Sequence, residues 1–218
     1  MVKFYGGFIK PGNLCFDIGA NIGNYSTAFL DLGARVIAVE PIDENFKHLN
    51  ERFADVEIFF AVQAAVSVTS GTSQMFKGSF LDLSTLDEHF VEFNKEHSRN
   101  KWLDTQTVQL TTLDELIKKY GVPHFCKIDV EGHEKQVLAG LTQTIPVISF
   151  EYLFPFKERA LECIKRVAEL SPNSTYNYSL YEFFELENDE WLDLNAFLIQ
   201  IQKLSKSHWT GDIFCKLS

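Results

Sequence analysis

A strand, a glycine turn and a helix start follow one another without interruption in residues 14–26, LCFDIGANIGNYS. Residues 14–18 are mostly apolar, in a run too short for a helix and typical of a strand covered on both faces. Gly19 and Gly23 allow a sharp turn, after which residues 24–32 have helical spacing. A strand that passes through a glycine loop into a helix N-terminus presents backbone N–H groups to a ligand. The stretch therefore predicts an α/β fold with a small-molecule site at this turn.

The loop favours a nucleoside that carries an amino acid over a dinucleotide. A dinucleotide fingerprint, G-x-G-x-x-G, would have glycine where Asn21 stands. The spacing is instead Asp17-x-Gly19-x-x-x-Gly23, and a carboxylate beside the loop would repel pyrophosphate but attract an ammonium group. The next predicted strand ends in Glu40, which is suitably placed to accept hydrogen bonds from both ribose hydroxyls. An NAD-dependent oxidoreductase stays open as an alternative.

Five strings in this sequence together resemble a known enzyme family. FDIGANIGNYS and VIAVEP look like the first two motifs of class I S-adenosylmethionine-dependent methyltransferases. TLDEL, KIDVEGHE and VLAGL, which begin at Thr112, Lys127 and Val137, narrow the resemblance to the FkbM family of methyltransferases. It covers roughly residues 10–152, with a weaker echo in the terminal GDIFCKL. The resemblance implies a Rossmann-like fold, S-adenosyl-L-methionine as cofactor, and methyl transfer to an acceptor, which we predict to be a hydroxyl of a small molecule or a sugar.

The predicted cofactor contacts come from the glycine loop, the helix start and the ends of the second and third strands. A glycine turn alone would explain Gly19 and Gly23, but not two acids at this spacing. Helix capping also accounts for Asn21, Tyr25 and Ser26. The residues that we assign to the cofactor are Asp17, Gly19, Ala20, Asn21, Gly23, Tyr25, Ser26, Glu40, Pro41, Ile42 and Gln63.

The adenine end of this assignment has two open points. Ile42 either packs on the face of the adenine ring or fills the core as a loop residue. In the resembled family an acidic residue usually follows the Ala-Val pair that comes after the third strand, whereas this chain has Ser67 and then Val68 after its pair. Gln63 is therefore the polar candidate for an adenine contact.

Residues after the fourth predicted strand supply the candidate catalytic base. Asp129, Glu131 and His133 alternate, and they would point to one face if the strand continued that far. In-line methyl transfer mainly requires alignment of the acceptor oxygen and exclusion of water, and a hydroxyl acceptor also gains from a base. Glu131 is the first choice because it belongs to the family string. His133 has a more suitable unperturbed pKa of ~6.5, but the resembled family often has alanine there.

Other roles for these side chains stay open. A carboxylate at a strand end commonly caps the next helix or holds a loop, which would explain Asp129 and Glu131. Together with Glu151, the three candidates could also hold Mg²⁺ or another divalent ion, although the spacing is not a recognised metal signature. We assign no metal. A non-catalytic S-adenosylmethionine-binding module, in which Glu131 and His133 are dispensable, is a further alternative.

Predicted strands and helices alternate along residues 1–218, which we interpret as a single methyltransferase domain. The alternation predicts a doubly wound, three-layer α/β/α fold with a mostly parallel seven-stranded sheet and an antiparallel last strand. Such sheets bind ligands at the carboxyl ends of their strands, where Asp17, Glu40, Asp129 and Glu151 all fall. The predicted strands are residues 14–18, 35–40, 56–60, 125–130, 146–152, 175–184 and 212–217.

Two segments are predicted to lie on the acceptor side or to act as lids. Residues 69–111 are the least regular part, with a helix over 85–94, and an excursion of this length is usually functional. Residues 186–207 begin acidic and become apolar, which favours a helix with a solvated start over a binding surface. For residues 69–111 two interpretations are equally good. The segment is either a solvated loop or an acceptor-binding surface made by Phe80, His97, Arg99 and Trp102.

Composition limits the partners of the chain. A net charge of −10 disfavours nucleic acid and anionic membranes, because phosphate binding needs a basic surface. No apolar run could span a bilayer and the start MVKFYGGFIKPG lacks a signal-peptide core, so a cytoplasmic location is the default. The four cysteines are widely spaced, which favours buried thiols over disulfides or a metal site. The sequence predicts no particular oligomeric state.

Overall fold

The computed structural model of the chain describes residues 1–79, 83–97 and 101–218. The strands within these ranges are β1 (Leu14–Ile18), β2 (Arg35–Val39), β3 (Phe59–Val62), β4 (Ala65–Val66), β5 (Gly71–Gly78), β6 (Ser84–Thr85), β7 (Trp102–Thr111), β8 (Phe125–Ile128), β9 (Val147–Leu153), β10 (Thr175–Leu180) and β11 (Thr210–Lys216). The helices are α1 (Val2–Tyr5), α2 (Asn24–Asp31), α3 (Asp43–Arg52), α4 (Glu88–His97), α5 (Leu113–Tyr120), α6 (Glu134–Ala139), α7 (Lys157–Leu170) and α8 (Leu194–Gln202), with a 3₁₀ turn at Phe154–Phe156 before α7.

Seven strands form the main sheet, in the order β10-β11-β9-β8-β1-β2-β3. Strands β3, β2, β1, β8 and β9 pair in parallel, whereas β11 is antiparallel to both β9 and β10. The predicted mostly parallel sheet with an antiparallel last strand is therefore confirmed. The strand order reverses between β1 and β8, and such a crevice at the carboxyl ends of the strands is the usual ligand site of an open α/β sheet.

The core lies on both faces of this sheet. Phe16 and Ile18 of β1 belong to one buried apolar cluster and Cys15 to the other. Because successive side chains of a strand point to opposite faces, the two clusters are the two sides of the sheet. The predicted three layers follow from this arrangement. All four cysteines are free and buried, as the sequence predicts.

Two predicted strands differ from the observed ones by three residues or more at an end, and four others differ by one or two. The third strand was expected at residues 56–60 but is Phe59–Val62, because the N–H of Val56 bonds the carbonyl of Phe53 and closes the turn after α3. The strand expected at 175–184 ends at Leu180. Tyr181 has φ +49°, a left-handed conformation that stops the extended chain.

Residues 69–111 contribute three of the four strands of a second sheet, where an irregular excursion was expected. Its four strands lie in the order β4-β7-β5-β6, and β5 and β7 form its long antiparallel pair. Only Met75 of β5 is buried, so the strand lacks the alternation that would have revealed it. The helix expected at 85–94 is α4, three residues later at its start, since the carboxylate of Asp87 caps it by accepting from the N–H of Phe90 at 2.8 Å.

The second predicted excursion, residues 186–207, contains α8. Asp193 caps this helix by accepting from the N–H of Ala196 at 2.9 Å, and Phe197 and Ile201 are fully buried. The solvated start and buried later face agree with the sequence. That either segment acts as a lid or contacts the acceptor stays a prediction. Among the helices of the described ranges, none is long and apolar enough to cross a membrane.

Candidate active site

A cavity of about 310 Å³ lies at the reversal of strand order, lined by the loops after β1, β2 and β8. The backbone joins two of these loops, because the N–H of Asp129 bonds the carbonyl of Ile18 at 2.9 Å. Gly19 has φ +81°, and a Cβ there would overlap the carbonyl oxygen of Asp129. Glycine at this position is therefore required by the neighbouring strand as well as by the turn.

Gly23 is required for a different contact. It caps α2 with φ +84°, and a Cβ there would lie 2.6 Å from the ring of Phe53. Gly23 does not line the cavity, and its left-handed backbone shapes the loop that does.

Glu40 is fixed at the cavity by two backbone N–H groups. Asn21 donates to Oε2 and Ile42 donates to Oε1, each at 2.9 Å. The side chain is only 4% exposed, and burial raises the pKa of Glu40 to about 7. Each carboxylate oxygen has a second lone pair, so Glu40 can still accept hydrogen bonds from a ligand's hydroxyls.

Asn21 supplies an unused acceptor beside Glu40. It lines the cavity with φ +50°, and its Oδ1 is buried without a hydrogen-bond partner among the residues that the structure describes. An acceptor in this position suits the ammonium or hydroxyl groups of an amino-acid-bearing nucleoside. Ala20, Tyr25 and Pro41 also line the cavity, as predicted.

Asp17 lies beneath the loop and not at the cavity mouth, which differs from the expectation. It is 1% exposed, accepts from the Oγ of Ser26 at 2.6 Å, and has a raised pKa because it is desolvated. Neither Asp17 nor Ser26 lines the cavity. Asp17 therefore ties β1 to α2 instead of presenting a carboxylate to an ammonium group.

Neither of the two adenine-side candidates, Ile42 and Gln63, lines the cavity. Ile42 is buried and packs with Ala65, Met75 and Val108, so it fills the core. Gln63 is exposed and donates to Oδ1 of Asp43 at 2.6 Å, away from the cavity lining. An apolar wall missed by the sequence reasoning takes this place, contributed by Pro41, Ala64, Ala65, Val66, Met75 and Leu86.

Three carboxylates converge at the other end of the cavity. Oxygens of Asp129, Glu131 and Glu151 all lie within 4.8 Å of one another. Desolvation, and then the charges of Asp129 and Glu131, raise the pKa of Glu151 well above its ordinary value. The Oγ1 of Thr210 donates to Glu151 at 3.0 Å. Glu151 thus joins the two predicted carboxylates as a candidate proton acceptor.

His133 lines the cavity but stands apart from these carboxylates. Its Nε2 lies 3.0 Å from the Oγ of Ser67. Burial lowers the pKa of His133 to about 4, so the imidazole is neutral at pH 7 and a weak proton acceptor. The predicted advantage of its ordinary pKa is therefore lost, and His133 is not among the three groups placed to share a cation.

Lys127 is a site residue that the sequence reasoning missed. Its buried Nζ lies 2.8 Å from Oδ2 of Asp129, 3.7 Å from Oδ1 of Asp212 and 4.1 Å from the centre of the Tyr25 ring. Asp129, the counter-ion nearest the cavity, is thereby fixed in orientation. The sequence did offer a signal for this ion pair: a lysine lies in the middle of the apolar strand β8, and a buried charge there requires a partner of opposite charge.

A second, more open cavity of about 590 Å³ adjoins the first. Tyr25, Asp129, Glu151 and Glu182 line both cavities. The remaining lining residues come from the loop after β10 and from β11: Tyr181, Phe183, Thr210, Gly211 and Asp212. The carboxylates therefore stand at the junction between two cavities.

The predicted acceptor surface in residues 69–111 is only partly described. Phe80 and Arg99 lie outside the described residues. His97 stacks on Phe93 with ring centres 4.3 Å apart, and Trp102 packs against Phe90. Neither His97 nor Trp102 is among the described residues that line the two cavities.

Sequence comparison identifies relatives of the chain. The family described as "Methyltransferase FkbM domain" matches residues 17–194. Hexuronic acid methyltransferase AglP from Haloferax volcanii is 27% identical over 144 residues, which are 65% of this chain and 55% of that protein. The chain thus spans about half the length of this relative.

Structural comparison places the fold among methyltransferases. A TehB-like SAM-dependent methyltransferase from Corynebacterium glutamicum superposes with a TM-score of 0.52 at 8% identity, covering 100% of this chain and 86% of that one. Aeropyrum pernix fibrillarin, solved with bound S-adenosyl-L-methionine, gives 0.50 at 10% identity, covering 95% and 68%. These similarities concern the fold, whereas the family match extends over most of the sequence. The chain belongs to the FkbM methyltransferase family.

Proposed function

We propose that this methyltransferase transfers the methyl group of S-adenosyl-L-methionine to a hydroxyl of a small molecule, most simply a sugar. The observation that carries the proposal is the junction of the two cavities. One cavity has the loop and acid suited to a nucleoside, and the other opens to solvent beyond the carboxylates. A relative named as a hexuronic acid methyltransferase supports a sugar acceptor.

The residues of the first cavity fit the proposed cofactor. Glu40 would accept hydrogen bonds from the ribose hydroxyls, and Asn21 would receive the amino-acid end. The apolar wall that includes Ala65 and Met75 would cover the adenine. S-adenosylmethionine, when bound, supplies a methyl group activated by its positive sulfur.

The protein's part in the reaction is alignment and proton removal. An acceptor in the second cavity faces the carboxylates of Asp129, Glu131 and Glu151, and one of them takes the hydroxyl proton. Glu131 and Asp129 remain the predicted bases. Glu151 lies in the same cluster, and desolvation raises its pKa well above the ordinary value, so it can share a proton with these two carboxylates. His133, with a pKa of about 4, is disfavoured in this role.

Two of the alternatives are less well supported. An NAD site would need glycine where Asn21 lines the cavity, because the pyrophosphate must approach the backbone closely there. The described lining of both cavities contains no lysine or arginine. The same lining and the net charge of −10 favour a small acceptor over a nucleic acid. A non-catalytic binding module stays open until transfer is measured.

The test combines cofactor binding with methyl transfer. Isothermal titration of the purified chain with S-adenosylmethionine, S-adenosylhomocysteine and NAD should show binding of the sulfur nucleosides alone. Glu40→Ala should weaken it, whereas Glu44→Ala, an exposed change on α3, should not. Glu131→Gln, Asp129→Asn and Glu151→Gln should bind the cofactor but transfer labelled methyl to glycosides more slowly.

Two results would contradict the proposal in different ways. If the folded chain binds no sulfur nucleoside, the cofactor assignment is wrong. If it binds one but all three carboxylate variants transfer methyl as fast as the unchanged chain, proton removal by this cluster is wrong.

A further inference from the structure

The second cavity is lined mainly by acidic and aromatic residues. Of the nine residues that line it, four are acidic: Asp129, Glu151, Glu182 and Asp212. Glu131 adds a fifth carboxylate from the adjoining cavity. The described lining of this cavity has neither lysine nor arginine. We propose that the acceptor group entering it carries no negative charge and that an amino-substituted sugar ring is preferred over a neutral one; this inference rests on the proposed function.

Lys127 does not reverse the charge of the cavity. Its side chain is 1% exposed and its ammonium group is shared between Asp129 and Asp212, so it cannot pair with a ligand. One ammonium against two carboxylates leaves a net negative charge at that wall. Glu182 is exposed at the rim and adds to it without a cation within salt-bridge distance among the described residues.

The rim also offers aromatic faces. Phe183 is 62% exposed and Tyr181 37% exposed, and both line the cavity. The hydroxyl of Tyr181 donates to the carbonyl of Ser207 at 3.0 Å, which holds the ring in place. Aromatic faces pack against the apolar side of a sugar ring, and they attract an ammonium group through the ring quadrupole. The rim and the carboxylates therefore favour the same ligand.

A carboxylate on the acceptor would meet like charges at this wall. Like-charge juxtaposition in a partly desolvated site lowers affinity strongly, so we expect kcat/KM for a uronic acid to be about 10- to 100-fold below that for the neutral sugar. For the amino sugar we expect a value several-fold above the neutral one.

The experiment compares acceptors that differ only in charge. Methyl glycosides of a neutral hexose, the 2-amino-2-deoxyhexose and the hexuronic acid are prepared in the gluco, galacto and manno configurations. Transfer of labelled methyl from S-adenosylmethionine is measured for each, at pH 7.5 and fixed ionic strength. The expected order within a configuration is amino sugar, then neutral sugar, then uronic acid.

A pair of charge reversals tests whether the cavity causes this order. Glu182→Lys should raise the ratio of uronic acid to amino sugar turnover at least about tenfold. Glu185→Lys makes the same change in an exposed residue outside the cavity lining and should leave the ratio unchanged. Cofactor affinity, measured by titration for each variant, separates an acceptor effect from a cofactor effect.

The outcomes distinguish this inference from the proposed function. A uronic acid preferred over the neutral sugar, or equal ratios in the two lysine variants, would overturn the charge inference while leaving the methyltransferase proposal in place. Methyl transfer to none of the glycosides by a chain that binds S-adenosylmethionine would overturn the sugar acceptor, and the inference with it.

Discussion

The cofactor side and the acceptor side of this site are built in different ways. On the cofactor side, neighbouring residues are fixed by backbone contacts: Gly19 abuts the end of β8, and Glu40 is held by two N–H groups. On the acceptor side, side chains from distant strands meet: Lys127 of β8 lies between Asp129 and Asp212 of β11, and Glu151 of β9 adjoins Asp129. A short motif such as FDIGANIG can therefore specify the cofactor half of an active site, whereas the acceptor half depends on strands that are distant in the sequence meeting in the sheet.

We expect the largest loss of stability from a substitution of Gly19 on the cofactor side. Gly19→Ala forces a Cβ onto the carbonyl oxygen of Asp129 at a left-handed backbone position. We expect a loss of more than about 4 kcal/mol in the free energy of unfolding, or failure to fold. Gly12→Ala is the matched control, because Gly12 has φ +82° but open space around its Cβ. It should cost about 1–2 kcal/mol, the left-handed penalty alone.

Urea unfolding of the two alanine variants checks the contrast. If Gly19→Ala and Gly12→Ala lose the same free energy of unfolding, the left-handed backbone alone, and not the contact with the end of β8, would explain why position 19 is glycine.

We expect the second largest loss of stability from a substitution of Lys127 on the acceptor side. Lys127→Met keeps the apolar stem but removes the counter-ion of Asp212, which is 13% exposed, and of Asp129, which is 30% exposed. Because solvent reaches part of both carboxylates, we expect a cost of about 2–3 kcal/mol, less than for a fully buried pair. Adding Asp212→Asn should recover part of this loss, since it removes one of the unpaired charges. Lys118→Met, an exposed change on α5, is the control and should stay within about 0.5 kcal/mol of the unchanged chain.

Unfolding of these three variants, measured at pH 7, decides whether ion pairing holds this half together. A loss for Lys127→Met no larger than for Lys118→Met would show that it does not.

The contrast between the two sides also explains what the sequence could predict. The strand pattern of β1 and the place of Glu40 at the end of β2 follow from local spacing, and the structure has both as expected. The second sheet escaped prediction because β5 buries only Met75 and shows no alternation. Cysteine burial and the mostly parallel seven-stranded sheet followed from apolar runs that few alternative folds could accommodate.

The acceptor side was less predictable for a physical reason. The lowered pKa of His133 depends on its burial beside Ser67. On the cofactor side, the direction of Asp17 likewise depends on which face of β1 meets α2. Lys127 meets Asp212 only because β11 lies next to β9, two strands from β8 in the sheet. No local pattern encodes these tertiary contacts.

Glu40→Gln tests the cofactor side with a smaller expected effect, on cofactor affinity. Glu40→Gln replaces one of two accepting oxygens by an amide nitrogen, which would face the N–H of Asn21 or of Ile42. We expect S-adenosylmethionine to bind about 10- to 100-fold more weakly, as calorimetry would measure. Glu44→Gln on α3 should bind normally. Unchanged affinity in Glu40→Gln would show that the ribose is held elsewhere.

The smallest expected effect concerns Glu134, which supports the acceptor loop from below. Its Oε1 accepts from the N–H groups of Val130 and Gly132, each at 3.2 Å, and desolvation raises its pKa to about 7. The unfolded value is ~4.3. Because the folded pKa is the higher one, the stability gained by protonation is fully present below pH ~4.3 and is lost as the pH rises through about 7.

Glu134→Gln should therefore flatten the pH dependence of unfolding. The amide oxygen can still accept from the two N–H groups but carries no charge, so the variant should gain on the order of 1–2 kcal/mol relative to the unchanged chain between pH 5 and pH 8. Glu57→Gln, an exposed change, should run parallel to the unchanged chain. Urea unfolding at both pH values measures the gain. If Glu134→Gln also runs parallel, Glu134 is already ionised in the folded chain at pH 5, and charge beneath the acceptor loop is tolerated more readily than its burial implies.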